Sequence, residues 1–559
     1  MDGYLNFYWN SILLNANKGK AKEFYISLDK LENIQKKYLL SNLFKNKNTA
    51  YGKKYNFKNI NTTSEYQKYV PITIYEDYKE YIQEILNGEK NVLTNEDVLL
   101  FEMSSGSTSN TKLIPYTKSL KQEFQNGIAP WIYDLYSKRP SLLYGKSYWS
   151  ITPIIQNSLD IKSKIPIGFE EDGEYLGKFQ KFIVDKIFAA PKILKHVSDI
   201  FIFRYITLLF LLKEKNLSLI SVWNPSFLIL LLEPIYEYKN IIMEDLEKGT
   251  LYFSDSLDKK LIGKITSKLG KNRNRSNELK CIFRDGANLG ELYSKIWPNL
   301  NLISCWGDGN AKQSMKNLSI LFPNVEIQEK GLLATEGIVS FPFFATQGKV
   351  LAYRSHFFEF EDKTNGEIKL AHEVKAGHEY SVILTTGGGF YRYKLNDIVQ
   401  VIDFFQKVPL LTFLGKEDTI SDYFGEKLNE CFVKEILINV FDNFKLQPDF
   451  YMVAPENEKN NFYFYTLYIE CRNQNEYFKS IYPQIRKDIE QKLKENFHYN
   501  YCRKLGQLQF LRIFLINGSS NQDYLIGCQK LNQKLGNIKP VILHTKMGWK
   551  NVFKGEFLT

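Results

Sequence analysis

Apolar positions recur at helical spacing through the first hundred residues and then give way to short β-like runs. Residues 20–44 carry this helical pattern, and shorter helix-like pieces lie in 64–88 on either side of Pro71. The short apolar runs that follow alternate with helical segments and lie at 98–101, 148–152, 219–223 and 302–306. This alternation is typical of β-sheets covered by helices, so the sequence predicts an α/β fold.

Two longer apolar stretches lie in the middle of the chain, at 200–212 and 219–232. Arg204 interrupts the first and Asn224-Pro225 the second, so both fall short of the roughly 18 uninterrupted residues of a membrane-spanning helix. We therefore expect buried core elements of a soluble protein with no membrane partner. The first 20 residues lack the pattern of an export signal.

The last part of the chain has its own alternation of elements. The pattern predicts a helix at 431–441, an aromatic strand at 462–470, an amphipathic helix at 476–497 and a strand at 507–516. A short charged segment, 416–418, precedes them and is suited to a hinge. The sequence predicts an N-terminal domain at 1–415, with β-sheets covered by helices, and a small mobile α+β domain at 416–559.

Composition narrows the class of protein. A chain of 559 residues exceeds the size at which one core keeps growing, so two or more domains are expected. Its 73 basic and 62 acidic residues are intermixed, which argues against a nucleic-acid-binding arm and favours a mildly basic surface for anionic substrates. Six cysteines without C-x-x-C spacing indicate neither a zinc site nor a disulfide framework, so we expect a reducing cytoplasm.

The loop after the first predicted strand concentrates anion-binding groups. Hydroxyls, a glycine free to take positive φ and one cation make it a candidate phosphate cradle; they are Ser104, Ser105, Gly106, Ser107, Thr108 and Lys112. A Walker loop is excluded because Thr111 replaces its second glycine and Leu113 its magnesium-binding hydroxyl. The pattern instead matches the Ser-Gly-[Ser/Thr]-Thr-x-x-x-Lys loop of acid-adenylating enzymes, with a polar surface turn as the alternative.

Two further stretches carry candidate nucleotide ligands. Thr335 and Glu336 stand side by side before Gly337, where a hydroxyl can donate to a phosphate and a carboxylate can bind Mg²⁺; an exposed acidic turn is the alternative. Three glycines at 387–389 mark a close approach of the backbone. Asp397, on the turn predicted after them, suits the two hydroxyls of a ribose, or else simply closes an Asx turn.

These motifs, taken in order, are similar to those of one family. Further matching segments are Ser221-Val-Trp-Asn-Pro225, Trp297-Pro-Asn-Leu300, Ser304-Cys-Trp-Gly-Asp-Gly309, Phe322-Pro-Asn-Val-Glu-Ile-Gln328, Arg354-Ser-His-Phe-Phe-Glu-Phe360 and Leu414-Gly-Lys-Glu-Asp418. Nearly the whole chain resembles the Gretchen-Hagen-type acyl acid amido synthetases, mostly their bacterial members. They are the branch of the acyl-adenylate-forming superfamily that includes the auxin-conjugating plant enzymes.

The resemblance implies a reaction and roles for named residues. A carboxylic acid would be adenylated by ATP and then transferred to an amine, usually an amino acid. The loop from Ser105 to Lys112 would hold the β- and γ-phosphates, and Thr335 and Glu336 the α-phosphate and Mg²⁺. Asp397 would hold the ribose, and Lys416 would reach a ribose or phosphate oxygen. Lys539 resembles the family's mobile catalytic lysine, with a solvated surface lysine as the alternative.

Departures from the family pattern bear on nucleotide binding. Ser109 replaces a loop glycine, Leu332 the adenine-stacking tyrosine of plant members, Asn396 a glycine and Lys416 an arginine. Lysine keeps the charge but loses the planar fork of arginine.

Substrate identity and close alternatives stay open at this stage. Trp149, Trp223 and Phe341 predict a pocket for a flat or aryl acid, although such aromatics also form plain core. An acid–thiol ligase or a non-catalytic ATP-binding relative would share the nucleotide motifs. The oligomeric state is not predicted.

Overall fold

The chain divides into two compact units. The computed structural model describes residues 2–104, 112–151, 164–168, 183, 185–284, 289–308, 311–344, 346–417, 420–423, 426–458, 462–504, 506–531, 533 and 538–558. The first unit comprises Met1–Asp308, Met315–Leu395 and Val399–Phe413. The second comprises Gly309–Ser314, Asn396–Ile398 and Leu414–Thr559. The predicted mobility of residues 416–559 stays a proposal.

Helices account for most of the described residues among the first 300. The α-helices are α1 (Asp2–Tyr25), α2 (Leu31–Asn46), α3 (Ala50–Lys54), α4 (Thr63–Tyr69), α5 (Lys79–Leu86), α6 (Lys118–Lys138), α7 (Ile200–Lys213), α8 (Pro225–Leu232), α9 (Pro234–Glu237), α10 (Lys239–Lys248), α11 (Lys259–Leu269), α12 (Arg273–Arg284), α13 (Leu289–Ile296), α14 (Ala311–Leu321), α15 (Glu430–Asn443), α16 (Asn475–Leu493), α17 (Phe497–Lys504) and α18 (Ser520–Lys530). Among the described residues, no helix is both long enough and apolar enough to cross a membrane.

The strands form several sheets of different size. The strands are β1 (Leu100–Ser104), β2 (Lys112–Tyr116), β3 (Lys146–Trp149), β4 (Leu217–Ser221), β5 (Leu302–Cys305), β6 (Glu326–Glu329), β7 (Leu333–Ala334), β8 (Gly337–Ile338), β9 (Ser340–Pro342), β10 (Lys349–Leu351), β11 (Phe357–Asp362), β12 (Ile368–Leu370), β13 (Glu379–Thr385), β14 (Tyr393–Phe405), β15 (Val408–Lys416), β16 (Ile420–Ser421), β17 (Leu428–Asn429), β18 (Phe450–Glu458), β19 (Phe462–Glu470), β20 (Arg512–Ile516) and β21 (Gly555–Leu558). This mixture of sheets and covering helices confirms the predicted α/β class.

The first unit contains a four-stranded parallel sheet in the order β3-β4-β5-β6. Both faces of this sheet are covered, as is usual for parallel sheets. On one face, α7 is almost entirely buried against Ile220 and Ile303. On the other, α1 and α6 pack on Leu219 and Leu302. The two apolar stretches predicted as buried core are therefore core.

The strands β3 and β4 begin and end earlier than predicted. The strand expected at 219–223 ends at Ser221, because Asn224 caps helix α8 by accepting from the Ser226 backbone N–H and Pro225 fills its first turn. Trp223 therefore lies just beyond the carboxyl end of β4.

A seven-stranded sheet, ordered β12-β11-β13-β14-β15-β10-β9, carries the second set of predicted motifs. The three glycines connect β13 to β14. Arg392, just before β14, has φ of 48°, and its guanidinium forms two 3.0 Å hydrogen bonds with buried Glu359 that hold this left-handed backbone. Asp397, expected on a turn, lies within β14 instead, directly after Asn396 with φ of 60°.

The second unit has a core of its own. Its sheet has the order β18-β19-β20-β21, and helices α15 and α16 share one buried cluster with it. Asn429 caps α15 with its side-chain oxygen, which accepts from the Cys431 N–H at 2.8 Å. The predicted helix 476–497 ends at Leu493 and the predicted strand 507–516 starts at Arg512, so both elements exist but are shorter.

Candidate active site

The predicted phosphate loop joins β1 to β2. These two strands pair antiparallel over their full length, and Ser104 lies opposite Lys112. The hairpin therefore fixes both ends of the loop. Ser105, Gly106, Ser107 and Thr108, together with the side chain of Ser104, lie outside the described residues.

Lys112 is connected to Glu336 through one tyrosine. Its ammonium donates to the Tyr393 hydroxyl at 3.3 Å, and that hydroxyl donates to Glu336 Oε1 at 3.3 Å. Burial, and next the Glu336 carboxylate, raise the pKa of Tyr393 well above its ordinary value, so the phenol stays protonated and remains a donor. The structure thus brings two residues together that are 224 positions apart in the sequence.

Thr335 and Glu336 are the two residues of a tight turn between β7 and β8. Ala334 pairs with Gly337 across this turn, and the Thr335 carbonyl accepts from the Tyr116 hydroxyl at 2.6 Å. Glu336 is buried, with 8% of its surface exposed, so the alternative of an exposed acidic turn is wrong. A Cβ at Gly337 would come within 2.8 Å of His356 Nε2, which explains the glycine.

His356 and Glu123 hold this turn in place through a chain of hydrogen bonds. The Ile338 N–H donates to His356 Nε2 at 3.0 Å, so the proton of the neutral ring lies on Nδ1 and is donated to Glu123 Oε2 at 2.9 Å. Both side chains are buried. Tyr38 also donates to Glu123, at 2.6 Å, and burial followed by this carboxylate raises the pKa of Tyr38 well above its ordinary value.

The Glu123 carboxylate also binds the glycine connection, which is the segment 387–389 between β13 and β14. The Gly387 N–H lies 3.0 and 2.9 Å from the two oxygens of Glu123, and Thr117 Oγ1 donates to the Gly387 carbonyl at 2.8 Å. A Cβ at Gly388 would come within 2.8 Å of the Pro115 carbonyl oxygen. The close approach predicted from these glycines is therefore an approach to the protein's own α6 and β2.

The candidate ribose ligand is paired with the predicted cation. Asp397 is buried, and its Oδ1 lies 3.4 Å from Lys416 Nζ. The Glu417 N–H donates to the Asn396 carbonyl at 2.6 Å, which fastens Lys416 beside this part of β14. Asp397 is held by a strand, so the Asx-turn alternative is wrong.

Lys539 lies in the second unit between Ile538, which is buried, and Pro540. Its own side chain is exposed, and its carbonyl accepts from the Tyr524 hydroxyl at 3.1 Å. Exposure is compatible with both a mobile catalytic lysine and a solvated surface lysine, so this assignment stays a prediction.

The predicted aromatic residues separate into two groups. Phe341 packs against Phe24 and Phe343, at 5.3 and 5.2 Å between ring centroids, and is core. Trp149 and Trp223 instead lie at the carboxyl ends of β3 and β4, where ligands bind in open α/β sheets.

Three site residues escaped the sequence analysis. Tyr393, Glu123 and His356 carry no recognisable spacing, because each acts on a residue between 57 and 281 positions away. The available signals were weak: Tyr393 follows the three glycines closely, and His356 belongs to a segment with family resemblance.

Comparisons with known proteins agree on one family. A family model described as the GH3 family N-terminal domain matches residues 20–327, and a model described as the GH3 family central domain matches residues 349–416. The indole-3-acetic acid-amido synthetase GH3.4 of Arabidopsis thaliana is 24% identical over 433 residues, which are 73% of this chain and 71% of that protein. The solved GH3.15 acyl acid amido synthetase has a TM-score of 0.78 at 17% identity, with 95% of each chain covered. That similarity establishes the shared fold.

Proposed function

The chain belongs to the GH3 family, and we propose that it activates a carboxylic acid with ATP and transfers the acyl group to an amine. The products are an amide, AMP and pyrophosphate. Relatives named as indole-3-acetic acid-amido synthetases support an aryl acid as the acyl substrate. An amino acid is the amine that the family resemblance implies.

The observation that carries this proposal is the connection from Lys112 through Tyr393 to Glu336. It puts one cation and one carboxylate at the base of a hydroxyl-rich loop. A triphosphate needs both: the cation neutralises phosphate oxygens, and the carboxylate binds the accompanying metal ion. Tyr393 fixes the spacing between them.

The donor set fits Mg²⁺ bound jointly by protein and nucleotide. Among the described residues, no cluster of three or more acidic, histidine or cysteine side chains is arranged to hold a metal ion. Mg²⁺ needs none, since it is commonly bound by one or two carboxylates together with phosphate oxygens and water. Glu336, buried on its turn, would hold it. The ion would supply positive charge to the reacting phosphate.

In the first half-reaction, the acid's carboxylate oxygen forms a bond to the α-phosphorus of ATP, and the bond to pyrophosphate breaks. Lys112 neutralises the leaving phosphates, and the Thr335 hydroxyl donates to an α-phosphate oxygen. In the second, the amine nitrogen attacks the acyl carbon, AMP leaves, and the nitrogen loses a proton.

Other assignments complete the nucleotide site as proposals. Ser104, Ser105, Gly106, Ser107 and Thr108 would bind the β- and γ-phosphates. Asp397 would accept from the ribose hydroxyls with Lys416 beside it, and Lys539 would approach the α-phosphate during adenylation only. All six cysteines are free thiols, which supports a reducing compartment such as the cytoplasm.

Pyrophosphate exchange over a panel of acids tests the first half-reaction, and supplying amino acids or thiols to the preformed acyl-adenylate tests the second. Glu336→Gln removes the proposed magnesium ligand at constant shape and should lower exchange about a hundredfold. The control is Glu379→Gln, an exposed carboxylate at the start of β13, which should behave as wild type. Exchange by Glu336→Gln at the control rate contradicts the magnesium assignment, and consumption by thiols alone contradicts the amide product.

A further inference from the structure

A buried lysine lies among three tryptophans at the carboxyl edge of the parallel sheet. Lys330 follows β6 directly and is 5% exposed. Its ammonium is 4.6 Å from the centre of the Trp223 ring, 5.8 Å from that of Trp149 and 6.0 Å from that of Trp131. We define these four residues as the tryptophan pocket.

Sheet register explains how the pocket forms. Trp149, Ser221, Ser304 and Gln328 are partners across β3, β4, β5 and β6, so they share one face of the sheet. Trp223 and Lys330 lie two residues beyond this row, at the ends of β4 and β6. Helix α6 covers the same face, and its Trp131 donates to Gln328 Oε1 at 3.1 Å.

Polar groups in and beside the tryptophan pocket lack hydrogen-bond partners among the described residues. Gln328 Nε2 and Ser221 Oγ are buried and make no hydrogen bond within the described part of the chain. Lys330 Nζ likewise makes no hydrogen bond or ion pair within the described part of the chain, and its neighbours there are the three indole rings and the Cys305 thiol. Burial lowers the pKa of Lys330 to about 7, because the ammonium loses its hydration and no carboxylate among the described residues compensates. Such a group gains most from an anionic ligand.

Helix α6 relates this pocket to the proposed phosphate site. Phe124 stacks on Tyr116, whose hydroxyl binds the Thr335 carbonyl. Trp131 lies seven residues further along α6, on the same side and about 10 Å away at 1.5 Å per residue. An acid whose reacting carboxyl lies at Thr335 and Glu336 would thus extend along α6 toward Lys330.

We propose that the acyl substrate is an aromatic acid with a second anionic oxygen group, a carboxylate or phenolate, at its far end, and that Lys330 binds this group. The tryptophans pack on the ring, and Gln328 and Ser221 supply further donors. Lys330 is then a specificity-determining residue. This inference rests on the proposed function and names the substrate class for it.

Paired acids test the inference in the full chain. Pyrophosphate exchange is measured with benzene-1,4-dicarboxylate against 4-methylbenzoate, and with naphthalene-2,6-dicarboxylate against 2-naphthoate. The wild type should prefer the di-acid of the better-fitting pair by about tenfold or more in kcat/KM, since a charge-assisted hydrogen bond is gained. Lys330→Met, of similar length and without charge, should lower that ratio about tenfold, whereas the exposed Lys264→Met should leave it unchanged.

The outcomes separate the two proposals. Equal rates for di-acids and mono-acids in the wild type overturn the inference, and this comparison needs no variant to fold. An unchanged ratio in a folded Lys330→Met overturns it too. Absence of exchange with every acid, mono-acids included, overturns the proposed function itself and this inference with it.

Discussion

Glu123 carries the strongest prediction, because three donors from distant parts of the chain converge on its carboxylate. They are the Gly387 N–H, the Tyr38 hydroxyl and the His356 Nδ1–H. The His356 ring in turn accepts from the Ile338 N–H, next to the Thr335–Glu336 turn. Removing the carboxylate therefore disturbs the glycine connection directly and the proposed magnesium-binding turn through His356.

The magnitude follows from counting donors left without partners. Glu123→Ala leaves three buried donors without an acceptor, at a cost of about 1–3 kcal/mol each. Since such losses are not additive, we expect the free energy of unfolding to fall by about 4 kcal/mol. Glu123→Gln keeps one acceptor oxygen, and the Tyr38 hydroxyl can turn to accept from the amide. It should cost about 1–2 kcal/mol, mainly the loss of charge assistance.

Urea unfolding followed by tryptophan fluorescence measures these losses. Six of the seven tryptophans lie in the first unit, so their emission reports on the unit that contains Glu123. Gln122→Ala, the exposed neighbour on α6, is the matched control and should shift the midpoint little. In folded Glu123→Gln, the KM for ATP should also rise, because the glycine connection and the Glu336 turn are held less firmly.

Comparison of the two Glu123 variants tests whether the carboxylate holds these donors. If Glu123→Ala unfolds at the same urea concentration as Glu123→Gln, the three donors have found other acceptors, and the carboxylate is not what holds them. A lowered midpoint with an unchanged KM for ATP would instead separate the network from the nucleotide site.

Three further predictions concern other groups. Tyr393→Phe removes the hydroxyl between Lys112 and Glu336 and should lower the pyrophosphate-exchange rate about tenfold without unfolding the chain; an unchanged rate would leave the hydroxyl without a role. Lys539→Ala should abolish exchange yet still convert supplied acyl-adenylate to amide, and equal loss of both half-reactions would contradict a mobile lysine. Burial lowers the pKa of His544 to about 4, so its stabilising effect is complete above pH 6.5 and is lost, by about 3 kcal/mol, as the pH falls toward 4. Hydrogen exchange of the core amides of the second unit at several pH values, corrected for the intrinsic exchange rate, should show this loss in the wild type and a smaller one in His544→Gln.

The features that could be predicted from the sequence are those set by neighbours along the chain. The strand before the phosphate loop, the Thr335–Glu336 turn and the elements of the second unit follow from periodicity and turn residues. Errors arose at boundaries, where a cap or a proline ended an element early, as Asn224 and Pro225 end β4. The sequence predicts a turn at Asp397, because nothing local shows that β14 continues through the left-handed Asn396.

Contacts between residues that are distant in the sequence could not be predicted in this way, and Lys330 is the clearest example. In the chain it stands between Glu329 and Gly331, which is ordinary turn composition in a protein with 73 basic residues. Only the parallel register places it beside the residues that follow β3 and β4, and only the packing of α6 adds Trp131. Among the described residues, its neighbours exclude most of the water and supply no carboxylate. The chemistry of Lys330 therefore depends on residues that lie side by side across the sheet, and the proposed anionic group of the substrate would supply the counter-charge that these described neighbours do not.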